Sequence, residues 1–160
     1  MGAQQPLAAR VAGEGRPLLL VHGDFNTGAM AWRRQLEQPR GRKLVVPDRR
    51  GYGASPPLSG PHSVAGDAAD VLRLADDLGI DAFDLAGHSY GGLVAIEIAA
   101  SAPARVRSLA IVEPPMLALL PDDPDVAHLR ERTAVLWSAA GGMTDDEIAC
   151  GFFETLAGPD

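Results

Sequence analysis

The chain has almost no cysteine and no long apolar run, and both shortages exclude whole classes of protein. Cys150 is the only cysteine in 160 residues, so an internal disulfide and a zinc site built on several thiolates are excluded. No stretch approaches the roughly 18 uninterrupted apolar residues of a membrane span, and the N-terminus lacks an apolar signal core. We therefore expect a soluble protein of the cytoplasm, without a membrane partner.

Positive charge is also scarce. The formal net charge is −7 and the sequence pI is about 5.0, so the basic footprint of a nucleic-acid-binding protein is missing. The glycine-rich stretch DRRGYG, residues 48–53, lacks the glycine spacing and the following G-K-[ST] of a phosphate-binding loop. We expect no nucleic-acid partner, no metal and no cofactor.

Short apolar runs alternate with segments of helical periodicity, and this length suits one domain. The runs predict strands at 17–23, 43–48, 82–87 and 106–114, with a weaker first strand at 7–12. Apolar residues at helical spacing predict helices at 64–78, 93–100 and, more weakly, 29–38. Strands that are apolar on both faces and alternate with helices indicate an α/β fold, with a mostly parallel sheet flanked by helices.

The rhythm changes after Pro114. The stretch PPMLALLPDDPD is broken by proline, and helices are predicted at 126–140 and 144–156. No further strand is predicted before residue 160. The chain therefore divides into an α/β part and a shorter helical part.

A serine lies between two glycines where a predicted strand turns into a predicted helix. Gly87, Ser89 and Gly91 form the G-x-S-x-G pattern of a nucleophile elbow. A serine exposed on so sharp a turn needs strained dihedral angles, and Cβ atoms two residues to either side would collide. The helix N-terminus adds partial positive charge beneath the hydroxyl. A serine in an ordinary tight turn is the alternative, but the strand and helix on either side favour a nucleophile.

Three segments, LLLVHGDFNTGAMAW, VVPDRRGYGAS and LAGHSYGGLVA, occur in this order within residues 18–95. Together they resemble the N-terminal part of the α/β-hydrolase fold family. The serine at the elbow resembles the serine members and argues against dehalogenases and epoxide hydrolases, which have aspartate there. The resemblance implies a partial hydrolase core over 1–113, lacking the C-terminal strands, and the start of a helical lid over 114–160.

The resemblance also implies an oxyanion hole made of backbone N–H groups. His22 and Gly23 match the His-Gly motif that opens the loop, which makes Asp24 one donor, with Phe25 as the alternative. The N–H of Tyr90, directly after the nucleophile, is the second donor. Because a carboxylate aimed at an oxyanion would repel it, we expect the Asp24 side chain to turn away.

The general base is the missing part of this site. A base must come within hydrogen-bond reach of Ser89, and the motifs place none of the four histidines there, namely His22, His62, His88 and His128. The family order is serine, then acid, then histidine. Glu113 is a candidate acid, although a charged residue at a strand exit is the simpler interpretation. The resemblance thus implies that the histidine is absent from this chain.

These observations predict a serine hydrolase that acts on small carboxylic ester or acyl substrates through a Ser89 acyl-enzyme. Without a base, the chain alone is expected to be weak or inactive. A non-catalytic hydrolase-like binding module is one alternative. A cofactor-free perhydrolase or a carbon–carbon bond hydrolase is another, and the motifs do not separate these.

The predicted strand at 106–112 would be an open sheet edge. Its apolar sequence LAIV contains no charge that would discourage pairing with another chain. One hypothesis is therefore that the chain self-associates through this edge, or pairs there with a complementing chain that supplies a histidine. The hypothesis that we favour is that the chain is a fragment of a larger enzyme, since the predicted lid begins and is not completed.

Overall fold

A five-stranded sheet organises the first part of the chain in this computed structural model, which describes residues 5–157. The strands lie in the order β1-β3-β2-β4-β5. All neighbours are parallel except β1, which runs antiparallel to β3. The strands are β1 (Ala9–Ala12), β2 (Arg16–Val21), β3 (Arg42–Pro47), β4 (Phe83–His88) and β5 (Val106–Val112). The predicted α/β fold with a mostly parallel sheet is confirmed.

Helices cover both faces of this sheet. They are α1 (Gly28–Ala31), α2 (Arg33–Glu37), α3 (Val64–Asp77) and α4 (Tyr90–Ser101). Helices α3 and α4 pack on one face, in a core that includes Leu19, while Leu20 faces the opposite core with Trp32. Successive residues of a strand point to opposite faces, so neighbouring leucines of β2 serve both cores.

Two helix predictions need correction. The single helix expected at 29–38 is split at Trp32, whose φ of −111° and ψ of 25° interrupt it. The helix expected to begin at Leu93 begins three residues earlier, at Tyr90. Both differences arise because helix ends depend on local backbone geometry that apolar periodicity does not report.

A buried carboxylate ties the strands together at one end of the sheet. Asp84 in β4 accepts hydrogen bonds from Arg16 at 2.8 Å, from Ser108 at 2.7 Å and from Arg42. Burial alone would raise the pKa of Asp84, but Ser108 and the two guanidinium groups hold it below its ordinary value. This Asp84 cluster (Asp84, Arg16, Arg42 and Ser108) joins the beginnings of β2, β3, β4 and β5.

At one margin of the sheet, β5 is the outermost strand. Leu109, Ile111 and Val112 are 38%, 39% and 45% exposed. Both faces of this strand are therefore open to solvent in the described chain, and its outer edge presents unpaired backbone groups.

The second compact unit begins at Met116 and is helical. It contains α5 (Pro124–Ala139) and α6 (Asp145–Ala157), with 3₁₀ turns at Leu117–Leu119 and Ala140–Gly142. Thr144 and Glu147 bond each other's backbone N–H groups, which is a capping box at the start of α6. Among residues 5–157, none of the helices combines the length and apolarity needed to cross a bilayer.

Candidate active site

Ser89 lies between the end of β4 and the start of α4, in a strained backbone conformation. Its φ is 52° and its ψ is −126°, a combination that residues with a Cβ rarely adopt. The Ser89 N–H donates to the carbonyl of Val112 at 2.9 Å, and its carbonyl accepts from the Gly92 N–H at 2.8 Å. Bonds to β5 and to α4 therefore hold the turn from both sides.

The glycines around Ser89 are required by close backbone approach. A Cβ on Gly87 would lie 2.1 Å from the Gly91 carbonyl oxygen, and one on Gly91 would lie 2.4 Å from the Val21 carbonyl oxygen. The sequence suggested that two Cβ atoms would collide with each other. In the structure, each added Cβ would instead collide with a backbone oxygen. A Cβ on Gly23 would lie 2.8 Å from the Ser89 Cβ, so the segment after β2 lies directly against the serine.

The N-terminus of α4 directly follows Ser89, so the first N–H groups of the helix are on the side of Ser89. Tyr90 is the first residue of this helix. The first four N–H groups of a helix have no acceptor within the helix, and the helix dipole adds partial positive charge at this end. The Tyr90 N–H can therefore act as a donor to a negative oxygen that forms beside Ser89.

His22 is a fixed element of the loop after β2. It is fully buried, and its Nε2 accepts from the Arg49 backbone N–H at 2.9 Å. Its Nδ1 therefore carries the proton and donates to the Gly23 carbonyl at 2.6 Å. Burial, and then the charge of Arg49, lower the pKa of His22. Since both ring nitrogens are engaged, His22 holds the loop and offers no basic lone pair.

The side chain of Asp24, 31% exposed, is bound by two partners. Its carboxylate accepts from the Tyr52 hydroxyl at 2.8 Å and pairs with the Arg49 guanidinium. Burial, and then the charge of Asp24, raise the pKa of Tyr52 to about 12, so the phenol remains a donor. The negative charge of this carboxylate is thereby paired with Arg49, which reduces its repulsion of an oxyanion formed near the Asp24 backbone.

Arg49 is a buried residue beside this site that the sequence did not single out. Its guanidinium is buried between the rings of Tyr52 and Tyr90, 4.6 and 4.5 Å from their centroids. It donates to the Asp67 carboxylate at 3.0 Å, in α3. Asp48 begins the same glycine-rich turn. It accepts from the Gly28 N–H at 2.9 Å.

A charge pattern in the sequence was available as a signal for this network. Two consecutive arginines, Arg49 and Arg50, precede two aspartates, Asp67 and Asp70, that lie one helical turn apart. In the structure Arg49 pairs with Asp67, and Arg50 pairs with Asp70 at 2.7 Å. Two positive charges on a turn and two negative charges on one helix face are the pattern that could have suggested this double ion pair.

His62 lies beside the nucleophile turn, joined to the same network. Its Nε2 is 2.9 Å from the carboxylate of Asp67, which is 4% exposed. Its ring stacks on Tyr90, with the centroids 5.2 Å apart. The side chain of His62 is one-third exposed. The Asp67 carboxylate thus orients the His62 imidazole beside Tyr90, the residue that follows Ser89.

His88 and Glu113 form a loose pair at the same edge of the sheet. The His88 Nε2 lies 4.0 Å from a carboxylate oxygen of Glu113, whose side chain is 85% exposed. Glu113 follows β5 directly and has a φ of 49°. A Cβ on Gly23 would lie 3.3 Å from the His88 Nδ1, which places this ring against the loop after β2.

His128 lies in the second unit, away from these residues in the chain. It lines an open groove of about 520 Å³ between α5 and α6, together with Leu136 and Thr155. Within residues 5–157, no histidine nitrogen is hydrogen-bonded to the Ser89 hydroxyl. The structure thus brings together Ser89, the 22–24 loop (His22, Gly23 and Asp24) and Tyr90, without a base in contact with Ser89.

Comparisons with known proteins agree with this geometry. The sequence profile of the alpha/beta hydrolase fold matches residues 16–143. A protein of Azorhizobium caulinodans named as an inferred carbamate hydrolase is 38% identical over 112 residues, covering 69% of this chain and 42% of that protein. The 2-hydroxymuconate semialdehyde hydrolase of Pseudomonas putida is 33% identical over 153 residues, covering 86% of this chain and 53% of the enzyme.

Solved structures give the same picture. A thermophilic esterase from Thermogutta terrifontis superposes with a TM-score of 0.67 at 31% identity, covering 82% of this chain and 47% of the esterase. Proteins named as epoxide hydrolases are also similar, for example one from Siraitia grosvenorii at 34% identity over 101 residues, 61% of this chain and 32% of that protein. The chain spans about half, or less, of the length of these relatives.

Proposed function

Because the chain belongs to the α/β-hydrolase fold family, we propose that it is a serine hydrolase in which Ser89 attacks the carbonyl carbon of a carboxylic ester. One observation carries this proposal: Ser89 occupies a strained elbow between β4 and α4, with Gly23 packed against it. Such strain is retained where a nucleophile must be exposed at the end of a sheet.

The proposed reaction uses backbone donors that are in place before charge develops. Ser89 Oγ bonds to the carbonyl carbon, and the π electrons move to the carbonyl oxygen. The N–H groups of Asp24 and Tyr90 receive that oxyanion, and loss of one such donor costs about 10²–10³ in rate. The C–O bond then breaks, the alcohol leaves with a proton, and water hydrolyses the acyl-enzyme.

The proton of the Ser89 hydroxyl needs a base. We propose that a histidine beyond residues 5–157, in the same or in a second polypeptide, takes this proton. Glu113 is the proposed acid, since its exposed carboxylate follows β5 and remains available to orient a histidine that docks there. His62 is the alternative base within the described chain, because Asp67 already orients its ring.

The second unit is proposed as the start of a helical lid. Val135 on α5 and Phe153 on α6 are 65% and 61% exposed, which leaves apolar surface on both helices. Apolar surface of this kind suits contact with an organic acyl or alcohol group, or with further chain.

A fluorophosphonate probe tests the nucleophile directly. The protein is incubated with the probe and its intact mass is measured, beside the Ser89→Ala, His62→Ala and Ser101→Ala variants, with circular dichroism to show folding. Ser101 ends the same helix and is the matched control. One adduct, lost in Ser89→Ala and kept in Ser101→Ala, is expected if a base is in reach. Loss in His62→Ala as well would identify His62 as that base.

If the protein is folded but forms no adduct, a base must be supplied from solution. Titrating free imidazole as an exogenous base should then restore labelling at Ser89, since the proposed backbone donors need no histidine. Persistent absence of labelling with imidazole present would refute the serine hydrolase proposal and favour a non-catalytic binding module.

Carbon–carbon bond hydrolysis is the second candidate function. It is supported by the 33% identity over 153 residues with the semialdehyde hydrolase. The same oxyanion donors would serve, because that reaction also passes through attack on a carbonyl carbon. Parallel assays with a p-nitrophenyl ester, a carbamate and a 2-hydroxy-6-keto dienoate distinguish the substrate classes, and the fastest turnover decides between them.

A further inference from the structure

One buried guanidinium holds all three residues of the 22–24 loop. Arg49 is 1% exposed, and its Nε donates to the His22 carbonyl at 3.1 Å. Its Nη2 donates to the Gly23 carbonyl at 3.1 Å and to the Asp24 carboxylate. The Arg49 backbone N–H also donates to His22 Nε2 at 2.9 Å. The loop is therefore attached to Arg49 at four points.

The direction of the Gly23–Asp24 peptide group follows from these contacts. No cis peptide bond occurs among the described residues, and in a trans peptide the C=O and N–H point to opposite sides. Because the Gly23 carbonyl faces the Arg49 guanidinium, the Asp24 N–H faces away from it. Gly23 lies directly against the Ser89 Cβ, so this peptide group borders the nucleophile.

We propose that Arg49 is a positioning residue that fixes the Gly23–Asp24 peptide with the Asp24 N–H toward the oxygen that forms above Ser89. The inference rests on the proposed function and deepens it, since it names the residue that assembles one half of the oxyanion hole. Arg49 does not touch the reacting atoms; it acts through the peptide group that it holds.

A holding residue is needed because this peptide could turn over. Gly23 has no Cβ and tolerates the ψ change of a peptide rotation at little cost. The rotated peptide would aim the Gly23 carbonyl oxygen at the oxyanion, and the two negative oxygens would repel each other. Two bonds to the Gly23 carbonyl oppose that rotation, one from the Arg49 Nη2 at 3.1 Å and one from the His22 Nδ1 at 2.6 Å. Arg49 also holds the His22 ring, because its backbone N–H donates to the His22 Nε2.

The guanidinium keeps its charge in this buried position. Burial alone would lower the pKa of Arg49, but the nearby carboxylates of Asp24 and Asp67 raise it above its ordinary value. The aromatic faces of Tyr52 and Tyr90 enclose the same cation. The hold on the loop is therefore expected to be independent of pH wherever the protein is folded.

Arg50 provides a matched control for a merely structural role. It is also buried, 6% exposed, and also forms an ion pair with α3, through Asp70 at 2.7 and 3.0 Å. Its remaining bond is to the Gln5 carbonyl at 3.1 Å, and not to the 22–24 loop. Arg50→Lys thus weakens a comparable buried pair without releasing the Gly23–Asp24 peptide.

The first test compares the rates at which Arg49→Lys, Arg50→Lys and the unsubstituted chain react with a fluorophosphonate, with imidazole added if the chain requires it. The lysine of Arg49→Lys keeps the charge but cannot reach two carbonyls and two carboxylates together. Its maximal labelling rate should fall about 10²-fold, with the half-saturating probe concentration within about twofold. Arg50→Lys should change both by less than about threefold. Equal falls in the two variants would overturn the proposal.

The second test does not depend on the reactivity of Ser89. Crystal structures of the unsubstituted chain and of Arg49→Lys are compared at the Gly23–Asp24 peptide. A rotated or doubly oriented peptide in the variant is expected, and an unchanged single orientation would overturn the proposal. If the unsubstituted chain never labels but the peptide rotates in Arg49→Lys, the proposed function fails while the positioning role stands.

Asp67→Asn replaces Arg49→Lys if the latter does not fold. It removes the charge that holds the Arg49 Nη1 at 3.0 Å, so the guanidinium and the Gly23 carbonyl bound to it can shift. Because Asp67 also bonds His62, His62→Ala is measured beside it, and the expected fall is one that exceeds the fall in His62→Ala. The guanidinium is then less restrained, and the maximal labelling rate should fall about tenfold, with some rotation of the same peptide in the crystal. An unchanged rate together with an unchanged peptide would overturn the proposal.

Discussion

Replacing Ser89 by glycine should make the protein more stable than replacing it by alanine. The φ of 52° and ψ of −126° at Ser89 are strained for any residue with a Cβ, at a cost of about 1–3 kcal/mol. Alanine keeps the Cβ and therefore the strain. Glycine removes both, while the two variants lose the same hydroxyl group.

The size of the difference follows from two opposing effects. Glycine relieves the strain, but it also gives the unfolded chain more freedom, which costs about 0.4–1 kcal/mol. The net free energy of unfolding should favour Ser89→Gly over Ser89→Ala by about 0.5–2 kcal/mol. For a chain of this length, each kcal/mol corresponds to a rise of about 2–4 °C in Tm.

Urea unfolding followed by circular dichroism measures this difference, with Ser101 as the control position. Ser101 ends α4 with helical backbone, where glycine is less stable than alanine by about 0.5–1 kcal/mol. The order of the two variants should therefore reverse between the two ends of one helix. If Ser89→Gly is less stable than Ser89→Ala, the elbow is not strained in solution and the reasoning fails.

Three further predictions concern the glycine bracket, the Asp84 cluster and the sheet edge. Gly87→Ala places a Cβ 2.1 Å from the Gly91 carbonyl oxygen, and should lower the free energy of unfolding by at least about 3 kcal/mol in urea titrations. The pKa of Asp84 is lowered in the folded state, so its stabilising effect is present above the unfolded pKa and is lost as pH falls through the folded value. Asp84→Asn should therefore be less stable than the parent at neutral pH and lose less stability in acid. Tm measured between neutral pH and pH about 3 checks both points. We also propose that the exposed β5 edge allows self-association, which Leu109→Lys should reduce in sedimentation velocity.

Each of these has a control within the chain. Gly141 has open space around it, so Gly141→Ala should leave stability within about 1 kcal/mol of the parent. An Asp84→Asn variant with undiminished acid sensitivity would mean that other carboxylates govern unfolding at low pH. Val11 is 48% exposed on β1, at the opposite margin of the sheet, and Val11→Lys should not alter association. Equal effects of the two lysines would show that general surface charge, not the β5 edge, is responsible.

The features that were predictable from sequence are the ones set by local spacing. Gly87, Ser89 and Gly91 lie within one turn, and the apolar runs on either side define the strand and the helix. The role of Arg49 was not predictable in this way, because it depends on contacts with His22 and Asp67, which lie 27 and 18 residues away. An arginine in a glycine-rich turn is typical of an exposed residue, and only the packing of three separate segments buries it.

The same distinction applies to the histidines. His62 lies in the loop just before α3, and its position in the sequence does not indicate that its ring stacks on Tyr90 and bonds Asp67. Stacking and ion pairing require the loop at 57–63 to return over the nucleophile turn. No periodicity in the sequence encodes that return, because loops are positioned by the elements they cross.

The Asp84 cluster has a consequence for how this scaffold could change its chemistry. Asp84 is the second residue of β4 and Ser89 directly follows its last residue, so the two lie five residues and thus about 16 Å apart, near opposite ends of the strand. The residues that anchor the sheet are therefore different from the residues around the nucleophile, and each set can be changed without the other. A library that diversifies the loops around Ser89 should explore new substrates without loosening the strand beginnings, whereas diversity at Arg16 or Arg42 should mostly yield less stable variants.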